Sequence, residues 1–211
     1  LFSSVRPENV IAATDSESIY EVHLGLHREK FDDKVIERLN LKANVSKMTG
    51  WQKMVKTLMN PEQEISIGIV GKYVDLKESY KSLNEALVHG GIANKSKVNI
   101  VYIDSERLNF KNVGQALNGI DGVLVPGGFG ERGVEGKMAA IRFARENLIP
   151  FFGICYGMQL ASIEFARNVC GIKDATSREF SPERKSIRNF VIDFMDEQKN
   201  LKNKGGTMRL G

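Results

Sequence analysis

Leu148-Ile149-Pro150-Phe151-Phe152-Gly153-Ile154-Cys155-Tyr156-Gly157 places one cysteine between a short apolar run and a helix-forming run, Met158-Gln159-Leu160-Ala161-Ser162-Ile163-Glu164-Phe165-Ala166. The first run reads as a buried strand and the second as a helix. Glycines on both sides of the cysteine permit a tight strand-to-helix turn where a Cβ would strike the returning chain. The N-terminus of the following helix carries partial positive charge, which favours an anionic sulfur at Cys155. A lone cysteine is often just a small buried hydrophobe. The paired glycines at a strand end weigh toward a nucleophile.

Upstream of this turn, strand and helix patterns alternate. Ile65-Ser66-Ile67-Gly68-Ile69-Val70, Val98-Asn99-Ile100-Val101-Tyr102-Ile103 and Gly122-Val123-Leu124-Val125-Pro126 read as strands. Tyr80 to Leu87 and Val113 to Leu117 read as helices, and Val134, Met138, Ile141, Ala144 and Leu148 share one helix face. Such alternation predicts an α/β fold: a mostly parallel open sheet with helices on both faces. Ligands of such sheets bind beyond the carboxyl ends of the strands. Both glycine-rich elements, at 127–130 and 153–157, fall at such ends.

The first third reads differently. Residues 1–24 are expected to be extended segments and turns, with Val10-Ala13 as a short strand and Thr14-Asp15-Ser16-Glu17-Ser18 as turn and N-cap chemistry. Residues 25–62 read as a helical linker, with Phe31, Val35, Ile36 and Leu39 and then Trp51, Met54, Val55 and Leu58 at helical spacing. Asn60-Pro61 closes it. Residues 63–211 form the third part.

Composition narrows the function classes. The 211 residues are 42% hydrophobic, without an apolar run approaching the ~20 residues of a membrane helix. The net charge of +4 arises from 30 basic and 26 acidic residues that are interleaved, so it points equally to anionic ligands and to solvated lysines. No basic patch interleaved with aromatics suggests nucleic acid. Cys155 and Cys170 form neither a disulfide framework nor a zinc spacing, which fits a reducing, cytoplasmic setting, with Cys170 inert. Pro126-Gly127-Gly128-Phe129-Gly130 brings backbone N–H groups near a ligand, and the N–H groups of Gly128 and Tyr156 are the natural oxyanion donors for Cys155.

Pro126-Gly127-Gly128-Phe129-Gly130 and Gly153-Ile154-Cys155-Tyr156-Gly157-Met158-Gln159 resemble the two signatures of class I (triad) glutamine amidotransferases. Gly68-Ile69-Val70-Gly71-Lys72-Tyr73, Arg132-Gly133-Val134-Glu135-Gly136, Arg142-Phe143-Ala144-Arg145-Glu146-Asn147 and Gly205-Gly206-Thr207-Met208-Arg209-Leu210-Gly211 narrow the resemblance to the CTP synthase family. It covers the whole chain. Residues 1–24 then resemble the end of the synthetase domain, and 63–211 an amidotransferase domain incomplete at its C-terminus. A γ-glutamyl hydrolase, a DJ-1-like protein, and a non-catalytic binding domain that keeps the elbow are the competing readings.

The resemblance implies a parent that aminates UTP to CTP with ATP and Mg²⁺, using ammonia from glutamine, with GTP as allosteric activator and a homotetrameric assembly. It implies no cofactor for this piece and a monomer, since most of the tetramer surface is not in it. Cys155 would attack the glutamine amide, and Gly128 and Tyr156 would bind the oxyanion. Gly128, Phe129, Gln159 and Glu179 would hold the substrate. Glu179 sits in Thr176-Ser177-Arg178-Glu179-Phe180, where Arg178 departs from the family's Ser-Thr-Glu-Phe. Lys81 and Arg132 would meet GTP, and Asp15 would lie beside the ATP adenine. The family's base is a histidine oriented by a glutamate beyond the last residue given. His23, His27 and His89 all precede Cys155 and match no catalytic position. The expectation is a piece with nucleophile and oxyanion donors but little glutamine hydrolysis.

Overall fold

A computed structural model of the chain describes residues 4–43, 47–72, 74, 77–128, 130–178 and 189–193. They fall into two compact units: Leu1–Gln63 with His89–Lys97, and Glu64–Val88 with Val98–Gly211.

The first unit is helical. After a 3-10 turn at Pro7–Asn9 come α1 (Ile19–Arg28), α2 (Phe31–Arg38) and α3 (Thr49–Met59). Ser18 starts α1 with a capping box: its side chain accepts from the Tyr20 N–H, and Glu21 reaches back to the Ser18 N–H. The N-cap expectation for this stretch is met. Val10-Ala13, in contrast, forms no strand, and Val10 is exposed. Four apolar residues without a neighbouring strand to pair with have no ladder to join. Helix α1 also runs through position 24, where extended chain was expected to give way to helix.

The chain continues through β1 (Gln63–Gly71), α4 (Lys81–Ala93), β2 (Ser96–Asp104), α5 (Val113–Ala116), β3 (Gly122–Val125), α6 (Val134–Glu146), β4 (Phe151–Gly153) and α7 (Tyr156–Asn168). The sheet order is β2-β1-β3-β4. β1 and β3 pair in parallel with Ile67 opposite Gly122, and β3 and β4 with Val125 opposite Gly153. This is the alternating α/β pattern expected. A second small sheet pairs β5 (Thr176–Ser177) with β6 (Phe190–Ile192).

Val70, Val123 and Val125 of the sheet, Met138, Ile141 and Ala144 of α6, and Tyr156, Leu160 and Ile163 of α7 form one buried cluster. Leu148 is a correction. It lies beyond the end of α6, with φ +55° and 90% exposure, rather than on the buried face. Phe152 is 62% exposed as well. It sits on β4, which has β3 on one side and ends the order of the four described strands.

One ion pair locks α6 to α7. Arg145 donates through Nε and Nη2 to Glu164 at 2.9 and 2.7 Å, and Asn168 adds a third hydrogen bond at 3.0 Å. The Glu164 side chain is 2% exposed, and its hydrogen bonds hold the Arg145 guanidinium above the usual arginine range. Removing the arginine leaves a buried carboxylate short of its cation. R145M should cost about 2–3 kcal/mol, below the figure for a fully buried pair because Arg145 is partly exposed. Urea unfolding of the two proteins checks this.

Candidate active site

Parallel pairing of β3 with β4 puts their carboxyl ends side by side, Val125 opposite Gly153. The chain leaves β3 as Pro126-Gly127-Gly128 and leaves β4 as Ile154-Cys155. The Ile154 N–H donates to the Val125 carbonyl at 3.0 Å, extending the pairing to the residue before the cysteine. Cys155 is therefore delivered to the rim of the sheet next to the glycine loop.

At Cys155 the backbone turns sharply. Its φ is +53° and ψ −106°, a conformation that L-residues avoid, and it is the N-cap of α7. The Gly157 N–H donates to the Ile154 carbonyl at 2.9 Å, and the Gln159 N–H donates to the Cys155 carbonyl at 3.1 Å. Both glycines of the elbow are required by space. A Cβ on Gly157 would lie 2.0 Å from the Val125 carbonyl oxygen, and one on Gly153 would lie 2.7 Å from the Gly157 carbonyl carbon. The sequence folds into this elbow because only glycine permits helix and strand to approach so closely.

Cys155 is free and partly buried, whereas Cys170 is free and exposed. Across from Cys155 lies Gly127, whose missing Cβ would stand 3.6 Å from the cysteine Cβ and 4.0 Å from its Sγ. The two glycine-rich elements singled out in the sequence thus meet. Gly128 has φ +131° and Gly130 φ +95°, so the loop turns its peptides in a way side-chain-bearing residues resist. Tyr156 is fully buried behind the elbow, and its hydroxyl donates to the Gly130 carbonyl at 3.2 Å. That bond ties the residue after the cysteine to the glycine loop. Gln159, one turn along α7, has a buried Oε1 with no hydrogen-bond partner among the described residues, an acceptor available to a ligand's N–H.

The remaining candidates are placed as follows. Lys81 is exposed and 3.9 Å from Glu78, and Arg132 is exposed and 2.7 Å from Glu106. Asp15 lies exposed in an irregular stretch before α1. Phe129 and Glu179 lie outside the described residues. Arg178, next to Glu179, is held by Asp193 at 2.9 Å and stacks 4.0 Å over Phe190, so its place in this sequence is to tie β5 to β6. Among the described residues no group of three or more His, Cys, Asp or Glu is placed to hold a metal ion. No helix among them is long and apolar enough to cross a membrane.

The three histidines are occupied inside the first unit. His89 Nε2 is 2.7 Å from the Tyr20 hydroxyl, His27 Nδ1 is 2.8 Å from Asp32, and His23 packs 4.9 Å from the Trp51 ring. The histidine–carboxylate contact holds the Asp32 carboxyl below the usual range.

One residue of the site escaped the sequence reading. Lys137 of α6 is 0% exposed, and its Nζ stands 5.2 Å from the centroid of the Tyr156 ring. The signal was available. Position 137 falls between Val134 and Ile141 on the apolar stripe of α6, where a lysine has no solvent to reach.

A cysteine elbow at the rim of a parallel sheet, faced by a glycine loop, is the geometry of acyl-transfer enzymes that use a thiol. Residues 75–211 match the family model of class-I glutamine amidotransferases, and the chain belongs to that family. Within it, the likeness is to CTP synthases. Those of Bdellovibrio bacteriovorus and Geobacter sulfurreducens are 65% and 52% identical over the whole of this chain, covering 40% and 39% of their own lengths. The chain thus spans about two fifths of the relatives it matches. A solved structure of the Trypanosoma brucei CTPS glutaminase domain with bound acivicin is 44% identical, with a TM-score of 0.59 over 64% of this chain and 52% of that one.

Proposed function

We propose that this chain carries the glutamine-hydrolysing centre of a CTP synthase. In that reading Cys155 attacks the side-chain amide carbon of glutamine. A C–S bond forms, and the carbonyl π electrons move to oxygen, toward the N–H groups of Gly128 and Tyr156. Collapse restores the carbonyl and breaks the C–N bond, and the departing nitrogen takes a proton to leave as ammonia. Water then cleaves the thioester to glutamate and the free thiol. In the parent protein the ammonia displaces phosphate from the activated pyrimidine of UTP. The observation that carries the reading is the strained Cys155 backbone held against Gly127 at the end of the sheet.

The finer assignments belong to the same proposal. Gln159 accepts from the amino group of glutamine through its unpartnered Oε1. Phe129 and Glu179 complete the substrate contacts. Lys81 and Arg132 meet the phosphates of GTP, and Asp15 borders the ATP adenine in a homotetrameric parent.

The proton acceptor for Cys155 comes from outside the three histidines of this chain, because each is engaged within the helical unit. Two results follow for the 211-residue chain. Incubation with 6-diazo-5-oxo-norleucine should give a mass adduct on Cys155 and none on Cys170, since labelling needs the elbow and not the base. Ammonia release from glutamine should be slower than in the full-length protein by roughly 10³-fold, within the ~10²–10⁴ that general-base catalysis supplies. Peptide mass mapping without an adduct on Cys155 would overturn the assignment of the nucleophile.

A further inference from the structure

We infer that Lys137 is a positioning residue for this thiol site, bracing the Tyr156 ring from below and so fixing the glycine loop against the elbow. The inference rests on the reading of Cys155 as nucleophile. A buried ammonium with no hydrogen bond is costly, and natural cores rarely keep one without a use. Lys137 Nζ has no hydrogen-bond partner among the described residues, and its nearby aromatic face is Tyr156. A cation within about 6 Å of a ring centroid is attracted to the ring. The same attraction draws electron density from the phenol, making its hydroxyl a better donor to the Gly130 carbonyl. The chain of contact runs from α6 through Tyr156 to Gly130, across the loop that contains Gly128. Lys137 itself makes no contact with the substrate and acts through Tyr156.

The surroundings leave Lys137 to this one task. α6 packs on α5, α7, β3 and β4. α5, β3 and β4 carry no charged residue. On α7 the buried Glu164 is already engaged by Arg145 and Asn168. Lys72, just past β1, is the charge that acts on Lys137, and it is repulsive. Burial first, and Lys72 second, lower the ammonium to about 8. The brace is therefore charged at neutral pH and fails as pH rises through that value. The stability effect has the opposite sign. Between about 8 and the ordinary lysine value the folded state binds fewer protons than the unfolded one, so stability increases with pH there.

The test uses the full-length protein that carries this chain, as wild type, K137M, K137R, Y156F and C155S, assayed for glutamine hydrolysis from pH 6.5 to 9.5. K137M should lower kcat roughly 10-fold with KM for glutamine changed less than about 2-fold, since the brace acts on the transition-state pocket. It should also raise the melting temperature by about 2–4 °C, because the buried charge is gone. K137R should keep most of the activity, as arginine stays charged, and should lose the alkaline decline near pH 8. Y156F should match K137M, and the double variant should be no worse than either single one. Wild-type kcat in K137M, or an alkaline limb unchanged in K137R, overturns the inference. So does a K137M that loses kcat and heat stability together without rescue by arginine, which marks plain packing. Should K137M not be recovered folded, K137R and Y156F decide alone. Hydrolysis surviving in C155S overturns the parent reading, whereas an inert C155S beside unaffected Lys137 variants overturns only this step.

Discussion

C155S should abolish glutamine-dependent turnover in the full-length protein, by at least about 10⁴-fold, while amination driven by added ammonium continues. The change keeps the size of the side chain and the strained backbone, so the elbow still forms. What is lost is the more nucleophilic sulfur atom. A serine hydroxyl at the same place needs a strong, close base to attack an amide, and none of the three histidines of this chain is free to serve. In the proposed reaction ammonium enters after the thiol step, so its use would report an intact amination site elsewhere in the full-length protein. Equal loss with glutamine and with ammonium would show that the substitution damages the fold, and retained glutamine turnover would remove Cys155 from the reaction.

G157A should be among the most destructive single methyl additions at the described glycines. Its Cβ would stand 2.0 Å from the Val125 carbonyl oxygen and 2.8 Å from that residue's carbonyl carbon, both backbone atoms that cannot swing away. Helix α7 must shift off β3, disturbing a cluster that includes Val125, Tyr156 and Leu160. The expected cost is roughly 3–5 kcal/mol, which at this size lowers the melting temperature by about 10 °C or more. Any folded remainder should label slowly at Cys155, because the elbow has moved. G90A is the contrast. Gly90 lies inside α4 with nothing within 4 Å of its added carbon, so alanine there should gain roughly 0.5–1 kcal/mol. Thermal melts and labelling rates of the two variants check the pair, and a stable, fast-labelling G157A would mean the elbow is looser than its contacts indicate.

Why some features were legible follows from where their information lies. The strands at Ile65, Val98 and Gly122 and helices α4, α6 and α7 announce themselves through periodic burial, which one sequence carries in full. The elbow was legible because two glycines around one cysteine leave few backbone alternatives. The meeting of the two glycine-rich elements was inferred from a topological rule, and register then set it: Val125 opposite Gly153. Leu148 misled because it has the right spacing for α6 but follows the helix end in a left-handed turn. The β5–β6 pair is two and three residues long, too short for alternation to register. Lys137 was hidden by its residue type, since a lysine inside an apolar stripe is usually taken for a solvated one.

The first unit is discontinuous: it takes in His89–Lys97, and the Tyr20 hydroxyl meets His89 there. An expression boundary drawn at residue 64, the obvious cut for isolating the catalytic half, would therefore orphan that stretch. It would sever Lys95 from Glu62, and Ser96 from Gln63, along with the Tyr20 contact. Helix α4 and strand β2 would each be left half-clothed. A sound excision keeps the helices upstream, so the linker is better regarded as a scaffold to retain than as a tether to trim.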